Sequence, residues 1–219
     1  MEKIVIDSGF QPTHAIIWLH GLGADGHDFE SFATELPQLV SLPKTRFIFP
    51  HAPIIPVTVN GGSRMRAWYD IVSPDLSQQE DEASLLAAVA QVDAMLEALM
   101  DDGVPAKNVI LGGFSQGGAV SLLSLARLQK KLAAVVCLSG YMPLIHQFLD
   151  QTLDVNQTTP VFVAHGKSDG VVPEEAADVA VKLLSHKKFP FTYKKYDISH
   201  NICPKEIQEL AQFVSNAWS

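Results

Sequence analysis

The sequence predicts an α/β fold, a mostly parallel central sheet with helices on both faces, and three observations predict it. Apolar runs of strand length recur at residues 15–19, 108–111, 133–138 and 160–164, and they are continuous rather than alternating, as in strands covered on both sides. Segments with helical spacing of apolar residues lie between these runs. No shift in composition divides the 219 residues, 47% of them hydrophobic, so one domain spanning residues 1–219 with a sizeable core is expected.

In chain order, residues 3–6 read as a short first strand and 15–19 as the next, which delivers the chain to His20-Gly21-Leu22-Gly23-Ala24-Asp25-Gly26. The glycines let the backbone turn its N–H groups toward one point. A phosphate loop would need a following Lys-Ser/Thr pair or G-x-G-x-x-G, and neither is present. An oxyanion-hole loop fits better, with the N–H of Leu22 as one donor. His20 reads as a structural hydrogen-bonding residue, and His20 with His27 finds no third ligand at a spacing that supports a metal.

Residues 27–36 read as a helix stopped by Pro37, and 45–49 as a strand stopped by Pro50. Residues 51–76 form the least regular stretch, with Pro53, Pro56 and Pro74, paired glycines and many apolar side chains. Long loops in compact domains are usually functional or disordered, and the apolar content argues against disorder. Trp68, Ile71 and Val72 are therefore expected to form one wall of an acyl-binding groove, the alternative being a packed surface loop. Ser77-Gln78-Gln79-Glu80 has the form of a capping box, followed by helical spacing from Leu85 to Leu99 that ends at Gly103.

At Gly113-Phe114-Ser115-Gln116-Gly117 a strand runs directly into a buried helix over residues 119–126. A turn that tight puts the serine in a strained conformation and requires small neighbours, because a Cβ at Gly113 or Gly117 would collide with the adjoining strand or helix. The Ser115 hydroxyl is then pushed above the sheet, and the N–H of Gln116 at the helix start becomes the second oxyanion donor. A glycine-rich turn that happens to hold a serine is the plainer alternative.

Beyond the strand at 133–138, where Cys137 reads as a small buried residue, Met142 is expected on the opposite groove wall. Asp169 falls in a turn past the strand at 160–164, and a helix spans 173–185. His200 lies between the last strand, 191–196, and a final helix from Pro204. His51 and His165, placed in earlier loops at strand ends, are poorer candidates for a base.

A net charge of −8 disfavours nucleic acid and anionic membrane surfaces as partners. Two cysteines make no disulfide framework, the N-terminus has no signal-peptide pattern, and no segment is expected to approach a membrane span. A cytoplasmic protein without stable membrane insertion is expected, with its oligomeric state, homodimer included, left open.

The order serine at an elbow, aspartate after a later strand, histidine after the last strand is that of α/β-hydrolases. Ser115 would be the nucleophile, His200 its base, and Asp169 the group that fixes the imidazole tautomer.

Leu19-His20-Gly21-Leu22-Gly23, His51-Ala52-Pro53, Trp68-Tyr69-Asp70, Glu80-Asp81-Glu82, Gly112 through Gly118, His165-Gly166 with Asp169, and Val172-Pro173 together resemble the acyl-protein thioesterase, lysophospholipase and carboxylesterase family, over essentially the whole chain. That resemblance implies the triad Ser115, Asp169 and His200, oxyanion donors at Leu22 and Gln116, and no metal or organic cofactor. It also implies a hydrolase with no separate cap domain, and a loop around Trp68 beside the acyl site. Ser139-Gly140-Tyr141-Met142-Pro143 takes the form seen in bacterial carboxylesterases, so esters of short to medium acyl chains are the expected substrates. Longer acyl thioesters or lysophospholipids are the alternative, and an inactive binding protein on a hydrolase scaffold is a more distant one.

Overall fold

The computed structural model describes residues 1–74 and 80–219. Its centre is a seven-stranded sheet in the order β1-β3-β2-β6-β7-β8-β9. The strands are β1 (Lys3–Asp7), β2 (His14–Leu19), β3 (Thr45–Pro50), β6 (Val109–Phe114), β7 (Ala134–Leu138), β8 (Val161–Gly166) and β9 (Phe191–Tyr196). Only β1 in this sheet runs antiparallel, pairing with β3 at one edge.

Side chains alternate between two cores, as the two-residue period of a strand requires. Ala15, Ile17 and Leu19 face one core, together with Val109, Leu111, Val135 and Cys137; Ile16, Trp18, Ile110, Val136 and Leu138 face the other. Helices α2 (Glu82–Asp101), α3 (Gln116–Arg127) and α5 (Glu174–His186) cover the first face, and α1 (Phe32–Leu39) and α6 (Pro204–Ala217) the second. A short helix, α4 (Ile145–Gln151), follows β7. Cys137 is buried as expected, and desolvation pushes its thiol up to about 12.

Several local expectations change. Residues 26–29 form a 3₁₀ turn, and α1 starts only at Phe32 and runs through Pro37 to Leu39. Pro37 is on the exposed side, so the carbonyl it leaves without an intrahelical donor can be served by water. The irregular stretch after β3 contains a two-stranded hairpin, β4 (Ile54–Val57) and β5 (Ser63–Arg66), turned through Gly61 and Gly62 at φ 65° and 76°. Pro53 and Pro56 obscured the strand pattern, while the Gly-Gly pair was the available signal.

Ser77, Gln78 and Gln79 of the expected capping box lie outside the described residues. The N-cap of α2 is Asp81, whose carboxylate accepts from the Ser84 N–H at 3.2 Å, while Glu80 accepts from the Leu144 N–H at 2.9 Å. By length and composition α2 is long and apolar enough to cross a membrane, which corrects the expectation that no segment approaches a span. Here Leu85, Val92, Leu96 and Leu99 are buried in the same core as Val109 and Leu111 of the sheet.

Candidate active site

The site is built where β2, β6, β8 and β9 release the chain at one edge of the sheet. β6 ends at Phe114 and α3 begins at Gln116, so the whole reversal is made by Ser115, at φ 54° and ψ −118°. This left-handed backbone is costly for any residue with a Cβ, and the surroundings enforce it. The Ser115 N–H donates to the Leu138 carbonyl at 2.8 Å, and its own carbonyl accepts from the Ala119 N–H at 3.0 Å. A Cβ at Gly113 would lie 2.4 Å from the Gly117 carbonyl carbon, and one at Gly117 2.2 Å from the Leu19 carbonyl oxygen. Helix, elbow and neighbouring strand thus touch backbone to backbone.

β2 and β6 are adjacent and parallel, with Leu19 opposite Gly113, so the loop after β2 and the elbow emerge side by side. A Cβ at Gly21 would sit 3.5 Å from the Ser115 Cβ, which brings the Leu22 turn against the serine. Below this turn is a hydrogen-bonded support. The Ala52 N–H donates to His20 Nε2 at 3.0 Å, which leaves the proton on Nδ1 to reach the Gly21 carbonyl at 2.7 Å. Burial holds the His20 imidazole below its usual pKa, consistent with that neutral tautomer and with the structural role expected of it. The indole N–H of Trp68 donates to the His20 carbonyl at 2.8 Å.

Asp169 stands in the turn after β8. Its Oδ1 accepts from the N–H groups of Val171 and Val172, both at 2.9 Å, and its Oδ2 lies 2.7 Å from His200 Nδ1. A carboxylate held by two backbone donors and aimed at one imidazole nitrogen places the proton of that imidazole on Nδ1, leaving Nε2 unprotonated and able to accept. The His200 loop passes directly over Gly166, where a Cβ would meet the Ser199 carbonyl oxygen at 2.4 Å. The ring of Phe114, the residue before Ser115, lies 4.8 Å from that of His200. Ser115, Asp169 and His200 are thereby gathered at one end of the sheet.

Two groups of residues have a supporting role that the sequence did not indicate. His165 lies inside β8, fully buried, rather than in a loop. Its Nε2–H donates to the Val172 carbonyl at 2.8 Å, and Asp169 Oδ2 stands 3.4 Å from the same nitrogen. Its position one residue before Gly166, at the close of an apolar run, was the only signal. Tyr69 and Tyr141 share a buried hydrogen bond of 2.6 Å between their hydroxyls, joining the Trp68 loop to the segment after β7. Burial drives both phenols up, that of Tyr141 to about 12, so both stay protonated.

The four residues expected to line an acyl groove fare unequally. Trp68 and Met142 are in one apolar cluster, against which Ile71 packs, but Trp68 is only 2% exposed and Met142 4%. Trp68 therefore has little surface to offer a ligand and is engaged below the Leu22 turn. Ile71 and Val72 are half-buried.

Comparison with known proteins bears on this geometry. Residues 1–218 match the family model described as Phospholipase/Carboxylesterase. Acyl-protein thioesterase 1 of Mycosarcoma maydis is 38% identical over 232 residues, covering 98% of this chain and 96% of that protein. The crystal structure of Arabidopsis thaliana SOBER1 superposes with a TM-score of 0.87 at 32% identity, covering 94% of this chain and 99% of that one. That of Zea mays acyl-protein thioesterase 2 gives 0.84 at 26% identity, covering 100% and 99%. On its sequence and on its fold, the chain belongs to the phospholipase/carboxylesterase family of α/β-hydrolases.

Proposed function

We propose that this hydrolase cleaves carboxylic esters of short to medium acyl chains through an acyl-enzyme on Ser115, within a single domain spanning residues 1–219. The observation that carries the reading is the 2.7 Å contact between Asp169 Oδ2 and His200 Nδ1, made beside a serine strained at a strand-to-helix elbow. His200 Nε2 takes the hydroxyl proton as Ser115 Oγ bonds to the substrate carbonyl carbon, and the oxyanion is held by the N–H groups of Leu22 and Gln116. The bond to the leaving oxygen then breaks, and that oxygen takes the proton from His200. Water repeats the sequence to release the acid and restore Ser115.

A second reading, hydrolysis of longer acyl thioesters, is favoured by the name acyl-protein thioesterase carried by curated relatives. The proposed location for either activity is the cytoplasm, a reading that two unpaired cysteines support. The test is Ser115→Ala, compared with wild type on p-nitrophenyl esters and acyl thioesters of graded length and with a fluorophosphonate label. Loss of label and of turnover by about 10⁴-fold or more is expected. Ester turnover near the wild-type rate in the purified variant overturns the assignment, and the length series separates the two readings.

A further inference from the structure

We propose that the cleft on the far side of His200 is a leaving-group subsite that favours esters whose alcohol portion carries a positive charge. The proposal rests on the reading of Ser115 and His200 as nucleophile and base.

The cleft has a volume of about 460 Å³ and lies between the 26–29 turn, the start of α1 and the loop after His200, with Asp28, Phe29, Glu35, Phe114, His200 and Ile202 on its walls. It stands apart from the expected acyl side. Half-buried Ile71, of the expected acyl wall, packs against the core on one face of the sheet, whereas Phe29 belongs to, and Phe114 and Ile202 pack against, the core on the other, where the His200 ring lies 4.8 Å from that of Phe114. Acyl and leaving groups extend in opposite directions from a scissile carbonyl, and the leaving oxygen must face the histidine that returns its proton. A cleft that includes His200 and lies away from the acyl side is where that portion of the substrate goes.

The chemistry of the walls selects its charge. Aromatic rings run from His200 to Phe114 at 4.8 Å and on to Phe29 at 5.8 Å, and Ser31 and Asn201 add uncharged polar groups to the lining. The acidic side chains at the rim are Asp28, exposed, and Glu35, half-buried. The nearest cationic side chain in sequence, His27, is taken by Glu30 at 2.9 Å and does not neutralise Asp28. An aromatic floor under a carboxylate rim attracts an ammonium group and repels an anion.

The test compares butyrylcholine with 3,3-dimethylbutyl butyrate, its neutral isostere, so that acyl chain and shape are constant and only charge differs. Wild type is expected to favour the choline ester in kcat/KM by about fivefold at low ionic strength, with the preference shrinking as salt is added. The double variant Asp28→Asn, Glu35→Gln brings the ratio to about one. Asp101→Asn with Asp150→Asn, which removes the same charge at exposed sites on other elements, leaves the ratio as in wild type. A wild-type ratio of one or less, a ratio unmoved by the cleft variant, or an equal fall in the remote variant overturns the proposal. Hydrolysis without charge preference overturns it alone; failure to hydrolyse either ester or p-nitrophenyl butyrate overturns the ester-hydrolase reading with it.

Discussion

The side-chain amide of Gln116 clamps Trp68: its Oε1 accepts from the Trp68 backbone N–H at 2.8 Å, and its Nε2 donates to the adjoining Tyr69 carbonyl at 2.8 Å. One residue thus links the elbow, through its backbone, to the loop that supports the Leu22 turn from below. Trp68 completes the link through the His20 carbonyl.

Trp68→Ala is accordingly expected to lower kcat/KM for acetyl esters as much as for longer ones, by roughly 10- to 100-fold, because displacing the proposed oxyanion turn would penalise every substrate. An acyl-groove wall would instead lose activity only on longer chains. A chain-length series on wild type and variant separates these outcomes, and intact acetyl turnover with a flattened slope would return Trp68 to the groove.

Asp169→Asn and His200→Ala should show strongly non-additive losses if, as proposed, the pair joined by the 2.7 Å contact acts as one proton-transfer unit. Steady-state rates on one ester for both single variants and the double are sufficient. Losses that multiply independently would count against a shared triad.

Gly117→Ala places a methyl 2.2 Å from the Leu19 carbonyl oxygen, a backbone atom that no rotamer change can move aside. A destabilisation of about 3 kcal/mol is expected, a fall in Tm of roughly 6–12 °C for a domain of this size. Thermal unfolding measures it; a Tm within about 2 °C of wild type would mean that strand and helix are less closely seated.

Glu206, 1% exposed at the start of α6, has its carboxyl pushed up to about 7 by burial. Between the unfolded value near 4.5 and pH 7, the unfolded chain releases a proton that the folded state keeps, so stability falls as pH rises through that window and levels off above it. The penalty above pH 7 is on the order of 3 kcal/mol. Glu206→Gln should therefore match wild type in denaturant unfolding near pH 4.5 and be more stable at pH 8. Equal stability at pH 8 would refute the buried acid's cost.

Strand and helix periods, the glycines around Ser115 and the order of Ser115, Asp169 and His200 are local or ordinal properties, and the amino-acid sequence determined them. Steric exclusion at Gly113 and Gly117 follows from the tight turn alone, and the two-sided sheet follows from continuous apolar runs. What the tertiary structure decided is which separated residues meet. Trp68 reads as an apolar loop residue and becomes a buried brace because Gln116, 48 positions away, accepts from its backbone N–H and donates to the carbonyl of the next residue, Tyr69. Glu80 reads as part of a capping box and instead binds Leu144, 64 positions on, while Asp81 takes the cap. His165 is hidden behind Asp169 for the same reason. Periodicity reports the face a residue presents, whereas partners for buried polar groups are chosen among everything that packing brings within hydrogen-bond reach, and only the folded chain sets that list.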